Sequence, residues 1–142
     1  MSFPDNCIKG IPNSQYLVAD GSVASHLFYF KREHTRNDGW IEQSINWEDN
    51  SSVARFTLDQ RKENGEIQFK AGVAVVPRDE IDRIRRRPTI TSNILSYERQ
   101  HSTNNPYHGN ILLQEDVPNL TMKKIAAGLA LAVSNIIPQS QE

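Results

Sequence analysis

Ile67, Phe69, Ala71, Val73 and Val75 fall on every second position, the spacing of one face of a β-strand. This alternation predicts a strand with one apolar face turned to a core. A looser alternation over Trp40 to Trp47, with Ile41, Ile45 and Trp47 on one parity, predicts a second, half-buried strand. The run Leu27, Phe28, Tyr29, Phe30 predicts a third across Val23 to Phe30, and Gln15 to Ala19 reads as a short strand or turn ended by Asp20-Gly21. Further strands are expected over Thr89 to Tyr97, through Ile90, Ile94 and Leu95, and over Asn110 to Leu113.

Three segments read as helices. From Thr121 to Ile137 the apolar residues Met122, Ile125, Ala126, Leu129, Ala132, Val133 and Ile136 make a broad stripe at helical spacing, closed by Pro138. Arg78 to Arg87 follows Pro77 with acids early and arginines late, the order a helix dipole favours, and Pro88 ends it. Ser51 to Lys62 has Asn50 and Ser51 as capping residues and Gly65 beyond its end, so a helix is expected there, with a strand as the rival. Met1 to Ser14 carries Pro4, Gly10, Pro12 and Asn13 without periodicity, and is expected to be an irregular arm over residues 1–14. The chain then divides into that arm, one domain over 15–138 and a tail over 139–142. Strands mixed with helices and lacking a regular βαβ alternation predict α+β: a mostly antiparallel sheet packed by the C-terminal apolar helix.

Composition narrows the functional classes. A chain of 142 residues is the size of one domain, and its mean hydropathy of -0.58 is that of a soluble protein. A formal net charge of -1 supplies no overall attraction to nucleic acid or to an anionic membrane. Cys7 is the single cysteine, so neither an internal disulfide nor a cysteine-built zinc site is available within one chain. With no secretory or membrane-spanning pattern, a cytoplasmic location without membrane contact is expected.

The chemistry-bearing residues concentrate between Ser96 and Leu113, which hold two of the four histidines. Asn105, Tyr107, His108 and Asn110 form the candidate binding loop, with Pro106 fixing a turn and Gly109 permitting close approach. His108 has two readings. As a latch, its imidazole hydrogen-bonds a backbone carbonyl and closes the loop on the sheet; as a functional residue, it meets a ligand or substrate. The latch is the simpler. His101-Ser102-Thr103 supplies one His-x-Thr unit of the two that a paired-histidine phosphoesterase needs, so a hydrolase using His108 and His101 is an alternative rather than the expectation. Arg83, Arg85, Arg86 and Arg87 offer the corresponding alternative for nucleic acid, although Asp79, Glu80 and Asp82 share their helix. The histidines at 26, 34, 101 and 108 have no metal-ligand spacing, and neither a metal nor a cofactor is expected.

Several fragments, in order, resemble a widespread family of small bacterial proteins that carry no assigned reaction. They are Asp20-Gly21-Ser22-Val23-Ala24-Ser25, Ser44-Ile45-Asn46-Trp47, Ala71-Gly72-Val73-Ala74-Val75-Val76-Pro77 and Asn105-Pro106-Tyr107-His108-Gly109-Asn110-Ile111, followed by the helix through Leu129-Ala130. The charged loop Lys31 to Asp38 is longer than that pattern. The resemblance implies one domain of bacterial cytosolic origin. The expectation from residues and resemblance together is an accessory or protein-interaction subunit without catalysis of its own, bound to a protein partner.

Overall fold

A computed structural model of the chain describes residues 3–87 and 94–139. Its first strand lies in the segment expected to be an irregular arm: β1 (Asn6–Ile11) sits inside the sheet, hydrogen-bonded on both sides. Pro4 and Pro12 bound this strand instead of interrupting it, and Cys7, Ile8 and Ile11 are all buried. The remaining strands are β2 (Trp40–Trp47), β3 (Gly72–Pro77), β4 (Leu95–Arg99), β5 (His108–Gln114) and β6 (Asn135–Ile137). They make one antiparallel sheet in the order β4-β5-β2-β1-β3-β6, with helices α1 (Val53–Leu58), α2 (Arg78–Arg85) and α3 (Asn119–Ala132) packed on it. The expected α+β architecture is the one observed.

The register sorts side chains onto two unequal faces. On the first, Cys7 and Ile11 of β1, Ile41, Ile45 and Trp47 of β2, and Ile111 and Leu113 of β5 meet Ile81 and Ile84 of α2 and Met122, Ile125 and Leu129 of α3. On the second, Ile8, Val73 and Val75 meet Val53 and Leu58 of the short α1, with Tyr107 and Ile137 packed against them. So α1 covers the β1–β3 half of this face. The β2–β5–β4 half carries polar side chains around the one buried apolar residue Leu112.

Four expectations change, each for a physical reason. The aromatic run at Val23 to Phe30 is not a strand but holds a 3-10 helix over Ser25–Phe28; Leu27, Phe28 and Phe30 close the first face while Tyr29 faces solvent. The alternation from Ile67 becomes a strand only at Gly72. Phe69 instead lays its ring over Gly10, where an added Cβ would lie 2.2 Å from the ring, and β3 is buried on both faces over Gly72–Val76. The C-terminal helix stops at Ala132, and Asn135–Ile137 turns back as β6 beside Val73–Val75, where its β-branched residues suit an edge strand. The helix expected over Ser51 to Lys62 is a helix rather than a strand, shortened to Val53–Leu58. The strand expected from Thr89 is observed over Leu95–Arg99, its earlier part lying outside the described residues. Pro77 and the acidic first turn start α2 as expected.

Candidate functional site

Strands β4 and β5 form a hairpin with Asn105 and Tyr107 in its loop and His108 and Asn110 on β5 itself, and Asn105 fastens the loop. Its Oδ1 accepts the Tyr107 backbone N–H at 2.9 Å, and its Nδ2 donates to Asn46 Oδ1 of β2 at 2.8 Å. Asn46 Nδ2 in turn donates to Thr57 Oγ1 at 2.8 Å and Gln60 Oε1 at 3.1 Å, while Thr57 donates to the Val53 carbonyl. A buried relay thus ties the hairpin to β2 and to α1. Tyr107 contributes packing, its ring lying edge-on to Phe56 at 5.1 Å. Gly109 does allow a close approach, but the group that approaches is the Trp47 indole. Its Nε1 donates to the Glu98 carbonyl at 2.9 Å and would lie 2.3 Å from a Cβ on residue 109.

His108 lies on the second face, opposite Asn46, while Asn110 stands opposite Ser44 and Glu98. The latch expected of His108 is made by Asn105: the imidazole has no hydrogen-bond partner among the described residues. Burial lowers the His108 pKa below its ordinary value, against the opposing pull of Glu42 and Glu98. Asn110 is fully buried, and its Nδ2 donates to Glu98 Oε2 and Gln100 Oε1, both at 2.8 Å, leaving Oδ1 without a partner among the described residues. Arg36 binds Asp38 and Glu98 at 2.6 Å each and approaches Glu42 at 3.5 Å. Its hydrogen bond to Asp38 raises its pKa above the ordinary value and draws Asp38 below the usual carboxylate range. Three carboxylates around one guanidinium leave this half of the face negative.

Between that surface and the covered half runs a groove of about 210 Å³, walled by Asn46, Thr57, Gln60, Phe69, Asn105 and His108. Its floor and the lining side chains are held by the relay, so the groove is pre-shaped. A second cleft of about 240 Å³ adjoins it at Gly10, Ser44, Gln68 and Phe69, and brings in Lys9, Tyr16, His26, Lys31 and Gln43. Of the predicted residues, Asn105 and His108 share the groove, Asn110 lies beneath the Arg36 cluster and Tyr107 packs on α1. Asn46 and Arg36 were not singled out by sequence. The one signal for Asn46 was a polar residue at strand parity opposite Ile45 and Trp47; Arg36 lay in the charged loop Lys31 to Asp38, to which no role was given.

The other candidates are dispersed. His101 is exposed and accepts a long 3.5 Å hydrogen bond from Arg99, with no contact to His108. Arg85 bonds the Leu95 carbonyl at 2.9 Å and stacks over Tyr97, and Arg83 pairs with Glu80 at 3.4 Å. Arg86 and Arg87 are exposed at the end of α2, so the four arginines present no common face. Burial pushes the Cys7 thiol up to about 12, far from the thiolate a nucleophile needs. Among the described residues no helix is long and apolar enough to cross a membrane, and no three of His, Cys, Asp and Glu gather as metal ligands. No family model, curated protein or solved structure matches the chain.

Proposed function

We propose that the chain is a non-catalytic accessory or protein-interaction subunit of a bacterial cytoplasmic system, and that it meets its partner on the polar half of the second sheet face, at the His108 groove. The observation that carries this reading is the contrast between His108 and its neighbours. Asn46, Thr57 and Asn105 hold one another in place, whereas the half-buried imidazole beside them makes no hydrogen bond among the described residues. The imidazole is partly desolvated in a groove whose other walls already hydrogen-bond one another, so a partner that bonds it there gains an interaction that the isolated chain leaves to solvent. The groove reaches its shape without the partner, so little ordering cost attends binding.

A protein is favoured over nucleic acid by the charge of this face. Asp38, Glu42 and Glu98 surround the single Arg36 and repel phosphates, while they complement a basic or donor-rich protein surface. The experiment is capture of partners from the native cells with the wild-type chain, His108→Ala and Arg86→Glu. Loss of one specific protein with His108→Ala and its retention with Arg86→Glu supports the reading. Retention of every captured protein by His108→Ala contradicts it.

A further inference from the structure

Lys9 has no ion-pair partner among the described residues, although it lies within the sheet. The residue keeps some contact with solvent, yet its ammonium is enclosed enough to be desolvated, and its one hydrogen bond is a 3.3 Å contact to the Ser44 carbonyl. The room around it comes from a split in the sheet. β1 pairs with β2 only at Cys7↔Trp47 and Ile8↔Asn46, then stays with β3 as far as Ile11, so β2 loses its neighbour beyond Asn46. The second cleft fills this split. Lys31 lines it together with His26, His34 and Tyr16, and among the described residues Glu42 is its only carboxylate.

A second group there is also incomplete. Gln43 is 6% exposed, its Nε2 donates to the Phe28 carbonyl at 2.9 Å, and its Oε1 has no hydrogen-bond partner among the described residues. The cleft therefore pairs an amine with unused N–H groups and no counter-ion with a buried amide oxygen that lacks a donor. Each is unfavourable alone, and one ligand can correct both.

We infer that this cleft binds a small oxyanion that carries its own hydroxyl, either a hydroxy acid or hydrogen phosphate, with the anionic oxygens on Lys9 and Lys31 and the hydroxyl donating to Gln43 Oε1. The inference is independent of the His108 groove, which contains neither lysine nor Gln43. The two lysines outweigh Glu42, so the cleft attracts anions while the Arg36 cluster repels them. Tyr16 stacks on His26 at 4.5 Å and Tyr29 meets the same imidazole edge-on, giving the site a fixed aromatic wall.

Burial, reinforced by the nearby Lys31, draws the Lys9 ammonium down to about 8 against the pull of Cys7. Binding needs the charged amine. Affinity must then fall as the pH rises past about 8, with Lys31, His26, His34, Glu42, Tyr16, Tyr29 and Cys7 as the other titratable groups around the site.

The test is calorimetric titration of the full chain with glycolate, acetate and inorganic phosphate, using wild type, Lys9→Met and Gln43→Leu. Saturable millimolar binding of glycolate or phosphate is expected, with acetate at least about five-fold weaker than glycolate, the effect of one neutral hydrogen bond. The stronger of glycolate and phosphate identifies the oxyanion. Lys9→Met should abolish binding, and Gln43→Leu should bring glycolate to the level of acetate. Lys31→Met, at an exposed residue, should weaken binding and serves if Lys9→Met does not fold. The inference is overturned if neither oxyanion saturates by about 50 mM, well beyond the millimolar range expected. Binding that survives Lys9→Met, or that survives Lys31→Met at full strength where Lys9→Met does not fold, also overturns it, as does acetate binding as tightly as glycolate.

Discussion

Asn105 Nδ2 donates to Asn46 Oδ1 at 2.8 Å, joining the β4–β5 hairpin to β2 through two buried amides 59 residues apart in sequence. Removing the Asn105 side chain leaves Asn46 Oδ1 and the Tyr107 N–H without their partners. Asn105→Ala is expected to cost about 1–3 kcal/mol, the usual penalty for buried groups left unsatisfied. His108→Ala removes no hydrogen bond and is expected to change stability by less than about 1 kcal/mol. Paired thermal melts decide: a larger loss in the His108 variant would return the latch to that residue.

Gly109→Ala brings a methyl group to 2.3 Å from Trp47 Nε1 and 2.4 Å from the Glu98 carbonyl. Neither can yield without breaking the hydrogen bond between them, so a destabilisation of about 3 kcal/mol is expected from overpacking and the lost bond together. Denaturant unfolding followed by Trp fluorescence measures it. An unchanged midpoint would show that the indole does not occupy this position.

The last helix offers an internal control. Leu129 is fully buried and Leu131, two positions on, is 86% exposed. Leu129→Asp should unfold the domain by placing an unpaired charge in the core, whereas Leu131→Asp should leave the melting temperature nearly unchanged. Equal effects of the two substitutions would contradict the orientation of α3.

Strand β1 predicts an unusual alkaline stability profile. Lys9 titrates at about 8 in the folded chain against an ordinary 10.5, so between these values the unfolded state binds more protons and stability rises with pH. Cys7 behaves oppositely: its thiol is pushed from 9.0 to about 12, the folded state holds the extra proton in that interval, and stability falls with pH. The net expectation is a gain between about pH 8 and 9, near cancellation to about 10.5 and a decline above. Chemical denaturation of wild type and Lys9→Met across this range checks it. The variant should lack the gain, and identical profiles would show that Lys9 is not desolvated.

The sequence carried the fold wherever one physical signal acted alone. Trp40–Trp47 and the start of α2 were legible because alternation and dipole-ordered charge are local. β1 was not, because its two prolines lie just outside it and its burial comes from β2 and β3 on either side. β6 was hidden by Ile136, which happens to continue the helical stripe of α3 into the following strand. At the site, Asn105 and His108 were found together, but the latch is made by Asn105. A latch is defined by what it reaches, and Asn46 is brought to the loop only by sheet register. Lys9 stayed invisible for the same reason: the split between β1 and β2 is a property of pairing, which no local pattern records.

Whether His108 faces a partner or holds the hairpin closed is decided by partner capture from the native cells with wild type and His108→Ala, the melting temperature of each being measured on the same preparations. His108→Ala is expected to keep its melting temperature within about 3–4 °C, the shift that about 1 kcal/mol gives in a domain of this size, and to lose a specific protein that the wild type retains. A variant that melts well below the wild type, or that captures the same partners, would contradict this expectation.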